Sequence, residues 1–314
     1  MDKNSRIYIA GHTGMVGSAI LRRLEKQGYT NIIYRSSKDL DLRSQKEVSE
    51  FFKNNSIDYV FLCAAKVGGI NANNSMRADF IYDNIMIQSN VIKSSYDFGV
   101  KKLLFLGSSC IYPKNPPQPI KEEYLLSSYL EPTNEPYAIA KIAGIKMCES
   151  FNKQYNTNFI SVMPTNLYGP NDNYDYKSSH VFPALLRKIH DAKVNSSKSI
   201  EIWGSGEPYR EFLFVEDLAD ASLFLMNHYS GSDPINIGTG IDLKIKDLAK
   251  LMMKVIGYEC GLILNSEMPD GTPRKLLDVS KINNLGWHFT TDLESGIKIT
   301  YQDFLDNYQI YSKI

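Results

Sequence analysis

The residues best suited to chemistry are a tyrosine and a lysine four positions apart, Tyr137 and Lys141, in the segment EPYAIAK. On a helix, residues at this spacing lie on the same face. A lysine ammonium beside a phenol favours the phenolate by charge, which makes Tyr137 a candidate general acid at neutral pH. Ser108 and Ser109 come just after the apolar run LLFL. A hydroxyl from either serine could hydrogen-bond the substrate carbonyl oxygen to which Tyr137 gives its proton. These residues predict the reduction of a carbonyl group, although the tyrosine–lysine spacing also occurs by chance on amphipathic helices.

A glycine-rich turn near the N-terminus is the second feature with a chemical meaning. Gly11, Gly14 and Gly17 follow the apolar run at 7–10 and precede an amphipathic stretch that ends at Gly28. Such glycines allow a strained turn, let a pyrophosphate reach the backbone amides, and let the helix pack closely on the strand. The order of strand, turn and helix therefore predicts a dinucleotide-binding site rather than only a tight turn.

The residues after the second predicted strand, at 31–34, indicate which dinucleotide is bound. Arg35, Ser36, Ser37 and Lys38 stand where the adenosine ribose would lie, and none of them is acidic. An Asp or Glu there would hold the ribose diol of NAD, whereas Arg and Lys suit the 2′-phosphate of NADP. The sequence favours NADP(H), with solvated surface charges as the alternative interpretation of the two cations.

The first half of the chain alternates helices and strands in the manner of an α/β protein. Helical stretches at 45–54 and 78–98 alternate with apolar runs at 58–69 and 103–106. This alternation predicts a doubly wound parallel sheet covered by helices on both faces. Ser108 then lies at the carboxyl end of a strand, where such folds bind their ligands.

Composition narrows the class of partner. The chain has 314 residues, 43% of them hydrophobic, and its 35 basic side chains balance 35 acidic ones. Formal neutrality argues against a nucleic acid or a membrane surface as the main partner. The four cysteines are far apart in sequence and form no metal-ligand pattern, so no metal site is predicted. Free thiols and the lack of a signal-like or membrane-spanning run predict a cytoplasmic protein.

Longer blocks of sequence resemble the GDP-L-fucose synthases, which belong to the extended short-chain dehydrogenase/reductase family acting on nucleotide sugars. The blocks run from Gly11 to Ser280 and cover most of the chain. They are AKVGGI, LGSSCIYPK, EPTNEPYAIAKIAGIK, PTNLYGPNDN, SHVFPALLRK, WGSGEPYREFLFVEDLA and PDGTPRKLLDVS. The resemblance implies a Rossmann-type sheet with a second, smaller α/β substrate domain. It also implies epimerisation at C3 and C5 and NADPH-dependent reduction at C4 of a GDP-linked 4-keto-6-deoxy sugar.

The resemblance assigns catalytic roles to two sets of residues. Ser108, Tyr137 and Lys141 would serve reduction, and Cys110 and His180 would serve epimerisation. Epimerising a carbon next to a ketone needs one group to remove a proton and another to return one to the opposite face, which suits a thiol and an imidazole. The alternative interpretations are a buried structural thiol at Cys110 and a hydrogen-bonding loop residue at His180.

Binding roles follow from the resemblance in the same way. Cations suit a diphosphate, an aromatic ring stacks on a base or sugar, and a carboxylate accepts from guanine or sugar donors. The implied contacts to the GDP-sugar are Lys188, Trp203, Arg210 and Asp270. The implied contacts to the cofactor are Gly11, Thr13, Gly14, Met15, Val16, Gly17, Arg35, Lys38, Ala64, Ala65, Lys141, Pro164, Asn166, Leu167 and His180.

The second half predicts a substrate domain. Residues 1–166 and 210–241 are assigned to the dinucleotide-binding domain, and 167–209 and 242–314 to the substrate domain. The segment at 164–170, with proline and glycine at its ends, is interpreted as a boundary loop, and the polar, aromatic segment at 171–179 as a mobile loop over the site.

Further helices are predicted at 246–256 and 293–307, and 234–240 is interpreted as a strand that returns to the first sheet. The helices at 78–98 and 137–155 commonly pair in dimers of the resembled family, so a homodimer is expected.

Two departures from the family pattern bear on the cofactor. Thr13 and Ser37 stand where arginine is common, with Arg35, Lys38 or Arg43 as replacements. Two other functions remain open at this point. One is a GDP-4-keto-6-deoxyheptose C4-reductase without epimerase activity, and the other is a non-catalytic NADP-binding protein that has kept the fold.

Overall fold

The computed structural model describes residues 1–176, 178–268 and 270–308, and its largest sheet has six parallel strands. The strands are β1 Ile7–Ala10, β2 Ile32–Ile33, β3 Tyr59–Leu62, β4 Lys102–Leu106, β5 Phe159–Pro164, β6 Asn166–Tyr168, β7 Ser199–Trp203, β8 Tyr209–Phe214, β9 Ile235–Ile237, β10 Asp242–Lys244, β11 Gly261–Asn265 and β12 Arg274–Lys275. The helices are α1 Met15–Lys26, α2 Gln45–Asn55, α3 Ile70–Ser75, α4 Arg77–Asp97, α5 Glu135–Tyr155, α6 Val181–Val194, α7 Val215–His228, α8 Ile245–Ile256, α9 Ser280–Asn284 and α10 Leu293–Asp306.

The large sheet has the strand order β2-β1-β3-β4-β5-β9. Its central strands are mostly apolar because helices cover both faces, and β1, β4 and β5 are buried at every position. The predicted α/β fold with a doubly wound parallel sheet is confirmed. The run at 234–240 does return to this sheet, as β9 beside β5.

A second sheet is built around β8. This strand pairs in parallel with β6 and β12 and antiparallel with β10. The prediction of a boundary loop at 164–170 is wrong in part, because Asn166–Tyr168 forms β6 in this sheet. A short strand flanked by proline and glycine has the composition of a loop, and its pairing partner lies later in the chain.

Strand β8 joins two hydrophobic clusters. Leu213 belongs to the cluster around the six-stranded sheet, whereas Phe212 and Phe214 belong to the cluster formed by α6, α8 and α10. Successive side chains of a strand point to opposite faces, so one strand supports both clusters. The two-domain division made from the sequence stays a prediction.

Two residues of the segment at 171–179 are packed into the protein. Asp172 and Tyr174 are buried, and Arg187 of α6 donates a hydrogen bond to the Tyr174 carbonyl oxygen at 2.6 Å. The expectation of an unpacked loop is therefore wrong for these two residues, whose polar sequence context hides their burial. Lys177 and residues 309–314 lie outside the described residues, and so does Pro269. Within the described ranges, no helix combines the length and apolar character needed to cross a membrane.

Candidate active site

The glycine turn between β1 and α1 forms a tight cradle. Gly11 has φ +89°, a backbone conformation that residues with a side chain rarely adopt. A Cβ at Gly11 would lie 2.8 Å from the Ala64 backbone nitrogen, and a Cβ at Gly17 would lie 2.1 Å from the Gly11 carbonyl oxygen. The turn, the end of β3 and the start of α1 therefore pack backbone to backbone, which leaves the loop open to a ligand on its outer side.

The N-terminus of α1 is prepared for an anion. Gly14 caps the helix without a side-chain hydrogen bond, and the first turn holds no acidic residue. The free amides and the positive end of the helix dipole at Met15 and Val16 suit a pyrophosphate. Thr13 and Gly14 are exposed beside them. These features fit the diphosphate of a dinucleotide.

The cations near the predicted ribose site differ in their partners. Arg43 is paired with Asp41 at 3.0 Å and with Asp83 at 3.4 Å, so two carboxylates already balance its charge. Arg35 and Lys38 are exposed and form no ion pair with a carboxylate among the described residues. Of the three candidates, Arg35 and Lys38 are the ones available to a 2′-phosphate.

The remaining predicted cofactor residues follow the carboxyl ends of β3 and β5. Ala64 and Ala65 follow β3, and Pro164 ends β5. The Asn166 side chain donates to the Glu211 carbonyl oxygen at 2.8 Å. This bond fixes the start of β6 and therefore the position of Leu167, the next residue. These residues lie at the edge of the sheet where parallel α/β folds bind their ligands.

Lys141 and Tyr137 lie side by side on α5, both buried. The Lys141 ammonium donates to the Leu106 carbonyl oxygen at 2.7 Å and lies 5.9 Å from the centre of the Tyr137 ring. Burial lowers the pKa of Lys141 to about 8. Burial also raises the pKa of Tyr137. The nearby Cys110 raises this pKa further, whereas Ser108 lowers it.

The expectation that Lys141 lowers the pKa of Tyr137 is therefore wrong. Burial of the phenol dominates, and the interaction that opposes it comes from Ser108 rather than from Lys141. Tyr137 is held as a phenol, which is the protonation state that a proton donor requires. Ser108 accepts a hydrogen bond from the Cys110 backbone amide at 3.2 Å, and its hydroxyl lies near enough to the Tyr137 phenol to lower the pKa of that group.

Cys110 lies in the short turn after β4 and contacts a residue from the far end of the chain. Lys275 of β12 donates to the Cys110 sulfur at 3.3 Å. Burial raises the pKa of the thiol, but Lys275, the Ser108 hydrogen bond and the Arg210 guanidinium together outweigh it, so the pKa of Cys110 is lowered. All four cysteines are free, and the other three have raised pKa values because burial outweighs the interactions that oppose it.

His180 is the N-cap residue of α6 and is exposed to solvent on one side. Protein packed around the ring lowers its pKa, and the positive charge of Lys275 lowers it further. Because Lys275 acts on both His180 and Cys110, it links the two residues assigned to epimerisation.

The predicted substrate residues form two groups. The Lys188 ammonium lies 5.9 Å from the Trp203 ring and donates to the Glu201 carbonyl oxygen at 3.0 Å, while the indole remains 47% exposed and open to stacking. Arg210 donates to the Thr272 carbonyl oxygen at 2.7 Å. Asp270 accepts from the Ser205 backbone amide at 2.7 Å and attracts the Arg210 guanidinium.

Two residues of the site were missed by sequence reasoning. Lys275 contacts Cys110, and the buried carboxylate of Glu211 accepts from the backbone amides of Thr239, Gly240 and Leu277. Two cations in the block PDGTPRKLLDVS, four and five residues after Asp270, were a signal for the first. Glu211 carried a weaker signal, an acidic residue inside an apolar strand, which is rarely buried unless it is paired.

Comparison with known proteins identifies the family of the chain. Residues 7–238 match the NAD dependent epimerase/dehydratase family. GDP-L-fucose synthase 1 of Arabidopsis thaliana is 55% identical over 98% of this chain and 95% of its own length. GDP-L-fucose synthase of Escherichia coli (strain K12) is 52% identical over 96% of this chain and 97% of its own length.

Among solved structures, a GDP-mannoheptose C4 reductase from Campylobacter jejuni with NADP bound is 43% identical, with a TM-score of 0.89. The match covers 97% of this chain and 99% of that one. A turn built to receive a dinucleotide, a six-stranded parallel sheet and these likenesses agree with one another. The chain belongs to the NAD dependent epimerase/dehydratase family.

Proposed function

We propose that the protein converts GDP-4-keto-6-deoxymannose to GDP-L-fucose, by epimerisation at C3 and C5 and NADPH-dependent reduction at C4. The observation that carries the proposal is the sharing of Ser108 between two sets of residues. Its hydroxyl accepts a hydrogen bond from the Cys110 backbone amide at 3.2 Å and lies near enough to the Tyr137 phenol to lower the pKa of that group. A ketone beside Ser108 is therefore within reach of a proton donor and of a thiol suited to proton removal.

In the reduction, the side chains of this chain bind the ketone and supply its proton. The turn at Gly11, Gly14 and Gly17 would hold NADPH, which would supply the hydride that C4 accepts. The phenol of Tyr137 gives its proton to the C4 oxygen, and Ser108 donates a hydrogen bond that stabilises the charge developing there. The ammonium of Lys141, beside Tyr137, favours the phenolate that is left.

In the epimerisation, Cys110 and His180 exchange protons with the carbons on either side of the ketone. The ketone makes those protons acidic, and the Ser108 and Tyr137 hydroxyls stabilise the enolate oxygen as the C–H bond breaks. The thiolate form of Cys110 removes a proton, and a proton is returned to the opposite face of the carbon.

The GDP part of the substrate is assigned to the groups on α6, β7 and β8. Trp203 offers an exposed ring for stacking, and Lys188 and Arg210 offer positive charge to the diphosphate. Asp270 has carboxylate lone pairs left over after its bonds to Ser205, which suit guanine N–H groups or sugar hydroxyls.

The deciding experiment is incubation with GDP-4-keto-6-deoxymannose and NADPH in deuterated water, with analysis of the product by NMR. We expect GDP-L-fucose that carries deuterium at C3 and C5, and we expect exchange at these carbons before NADPH is added. A reduced product with unlabelled C3 and C5 would contradict the epimerase part and leave a C4-reductase.

The likeness to a GDP-mannoheptose C4 reductase makes a GDP-4-keto-6-deoxyheptose the second candidate substrate. Hexose and heptose differ by one carbon, and a pocket discriminates such a difference by only about 1 to 3 kcal/mol. The same incubation with the heptose substrate decides, because the true substrate gives the higher kcat/KM. The dominance of the heptose would overturn the proposal for the hexose.

The preference for NADPH rests on Arg35 and Lys38. A 2′-phosphate beside two cations without carboxylate partners gains charge-assisted hydrogen bonds that NADH does not make. We expect Arg35→Ala to raise the KM for NADPH about tenfold, a loss of about 1.4 kcal/mol, and to leave the KM for NADH unchanged. Equal kcat/KM values for the two cofactors in the unmodified protein would refute the preference.

We also propose a cytoplasmic homodimer. Four free cysteines suit a reducing compartment. Exposed apolar side chains on the paired helices α4 and α5, among them Tyr82 and Ile139, suit an interface with a second copy of the chain.

A further inference from the structure

Strand β12 carries one cation into the site from the far end of the chain. It pairs in parallel with β8, which places Lys275 opposite Arg210, and the Lys275 ammonium contacts the Cys110 sulfur 165 positions away at 3.3 Å. The following residues are held in place, because the Leu277 amide donates to the Glu211 carboxylate at 2.9 Å. The position of Lys275 is therefore set by backbone pairing and by a buried carboxylate.

Lys275 differs from the neighbouring cations in having no carboxylate partner among the described residues. Arg274 is paired with Asp242 at 2.6 Å, and Lys114 with Glu131 at 3.1 Å. Lys275, Arg274 and Lys114 all line one cavity of about 50 Å³ that Cys110 also lines. The positive charge of Lys275 is thus available to the thiol, whereas the charges of Arg274 and Lys114 are already balanced by carboxylates.

The groups that act on the thiol come from several elements and are mostly positive or neutral. They are Lys275 of β12, Arg210 of β8, Ser108 after β4 and Tyr137 of α5, while His180 of α6 shares the field of Lys275. The pKa of Cys110 is lowered while the pKa of both Cys63 and Cys148 is raised to about 12. A cation within hydrogen-bond reach of one thiol and not of the others accounts for this contrast.

We propose that Lys275 is a positioning residue that holds Cys110 as a thiolate and so prepares it to act as the base in epimerisation. The role of Cys110 as the base in epimerisation rests on the proposed function. In the proton transfer, the C–H bond next to the ketone breaks, an S–H bond forms, and the electron pair moves onto the ketone oxygen. Lys275 keeps its proton throughout, and its ammonium stabilises the thiolate before the transfer.

The first test needs no substrate. The rate of Cys110 alkylation by iodoacetamide is measured against pH by mass spectrometry of the Cys110 peptide, because only the thiolate reacts. In Lys275→Met we expect the midpoint to rise by at least about one pH unit, so that alkylation near pH 7 slows about tenfold. Lys275→Arg keeps a cation and should restore most of the rate. Equal midpoints in Lys275→Met and the unmodified protein would overturn the proposal.

Lys114→Met is the matched control, since it removes a cation from the same cavity but one that Glu131 already balances. We expect its alkylation profile to match that of the unmodified protein. A shift as large as that of Lys275→Met would show that any nearby positive charge suffices, and would refute the specific role of Lys275. Thermal melting of each variant checks that the fold is intact.

The second test separates the two chemistries. Oxidation of GDP-L-fucose by NADP⁺ uses hydride transfer without epimerisation, whereas solvent deuterium exchange at C3 and C5 reports epimerisation alone. In Lys275→Met we expect exchange near neutral pH to fall at least tenfold and to recover as the pH rises, while oxidation changes less than about twofold. An equal loss of both would overturn the proposal. If the unmodified protein shows no exchange but the alkylation shift is found, the proposed function fails and the thiolate assignment stands.

Discussion

At the scale of single residues, the site combines groups whose pKa values are moved in different directions by similar burial. The pKa of Tyr137 is raised, that of Lys141 is lowered, and that of Cys110 is lowered because cations outweigh its burial. A phenol with a raised pKa and a thiol with a lowered pKa suit the acid and the base that the two reactions need.

Replacing Tyr137 by phenylalanine removes the proton donor and leaves the shape of the site. We expect Tyr137→Phe to lower the rate of NADPH oxidation about 10²-fold to 10⁴-fold, with deuterium exchange at C3 and C5 much less affected. Tyr129→Phe is the control, since Tyr129 is 92% exposed. Unchanged NADPH oxidation in Tyr137→Phe would instead favour a protein in which this residue has no catalytic role.

The pH dependence of the reduction should report Lys141. Its pKa of about 8 means that the ammonium is present below this value and is lost as the pH rises through it. We therefore expect kcat/KM for reduction to fall above about pH 8, and Lys141→Arg to keep its activity to higher pH. Stopped-flow measurement of NADPH oxidation across this range is the test. A profile of unmodified protein that stays level through pH 8 would argue against the assignment.

At the scale of elements, a buried lysine of the central sheet caps the C-terminus of a helix. Lys102 of β4 is 4% exposed, and its ammonium donates to the carbonyl oxygens of Leu225 and Met226 in α7 and to that of Tyr229. The Leu225 carbonyl also accepts from the Tyr229 backbone amide at 3.0 Å, and a cation at the last carbonyl groups of a helix matches the negative end of the helix dipole. One side chain thus ties the central sheet to α7.

We expect Lys102→Met to lower the free energy of unfolding by about 2 to 4 kcal/mol, because buried carbonyl groups lose their donor. Lys101→Met is the matched control. The Lys101 side chain is 62% exposed and paired with Asp58, so the change should cost less than about 1 kcal/mol. Urea unfolding of the two variants measures the difference, and equal midpoints would contradict the role given to Lys102.

The glycine turn offers a second contrast between neighbouring positions. A Cβ at Gly17 meets the Gly11 carbonyl oxygen at 2.1 Å, whereas a Cβ at Gly14 lies 3.6 Å from the same atom. We expect Gly17→Ala to destabilise the protein by about 1 to 3 kcal/mol, more than the gain of about 1 kcal/mol in helix propensity. Gly14→Ala should keep the melting temperature and weaken NADPH binding, measured by calorimetry. The reverse order of the two melting temperatures would contradict this.

At the scale of the whole molecule, the exposed apolar face of α4 and α5 predicts the assembly. We expect light scattering to give the mass of a dimer, and Tyr82→Glu combined with Ile139→Glu to give a monomer, because charges are costly in a buried apolar interface. Ile299→Glu on α10 is the control, since Ile299 is 48% exposed on another face. A monomeric unmodified protein would refute the prediction.

The parts of the fold that sequence could predict are those made by local patterns. Strand β1 was predicted at its observed bounds, because an uninterrupted apolar run ends at a glycine turn. Strand β6 was missed because its short sequence resembles a loop and only its pairing with β8 makes it a strand. Lys275 was missed for the same reason, since no local pattern reveals a contact across 165 positions.

The contact between Cys110 and Lys275 also sets an order of events during synthesis. Cys110 leaves the ribosome long before β12 does, so a growing chain carries the thiol without the cation that lowers its pKa. The thiolate is the form of cysteine that reacts with oxidants. The interaction that favours the thiolate at Cys110 therefore arises only once β12 has paired with β8 and brought Lys275 to the sulfur.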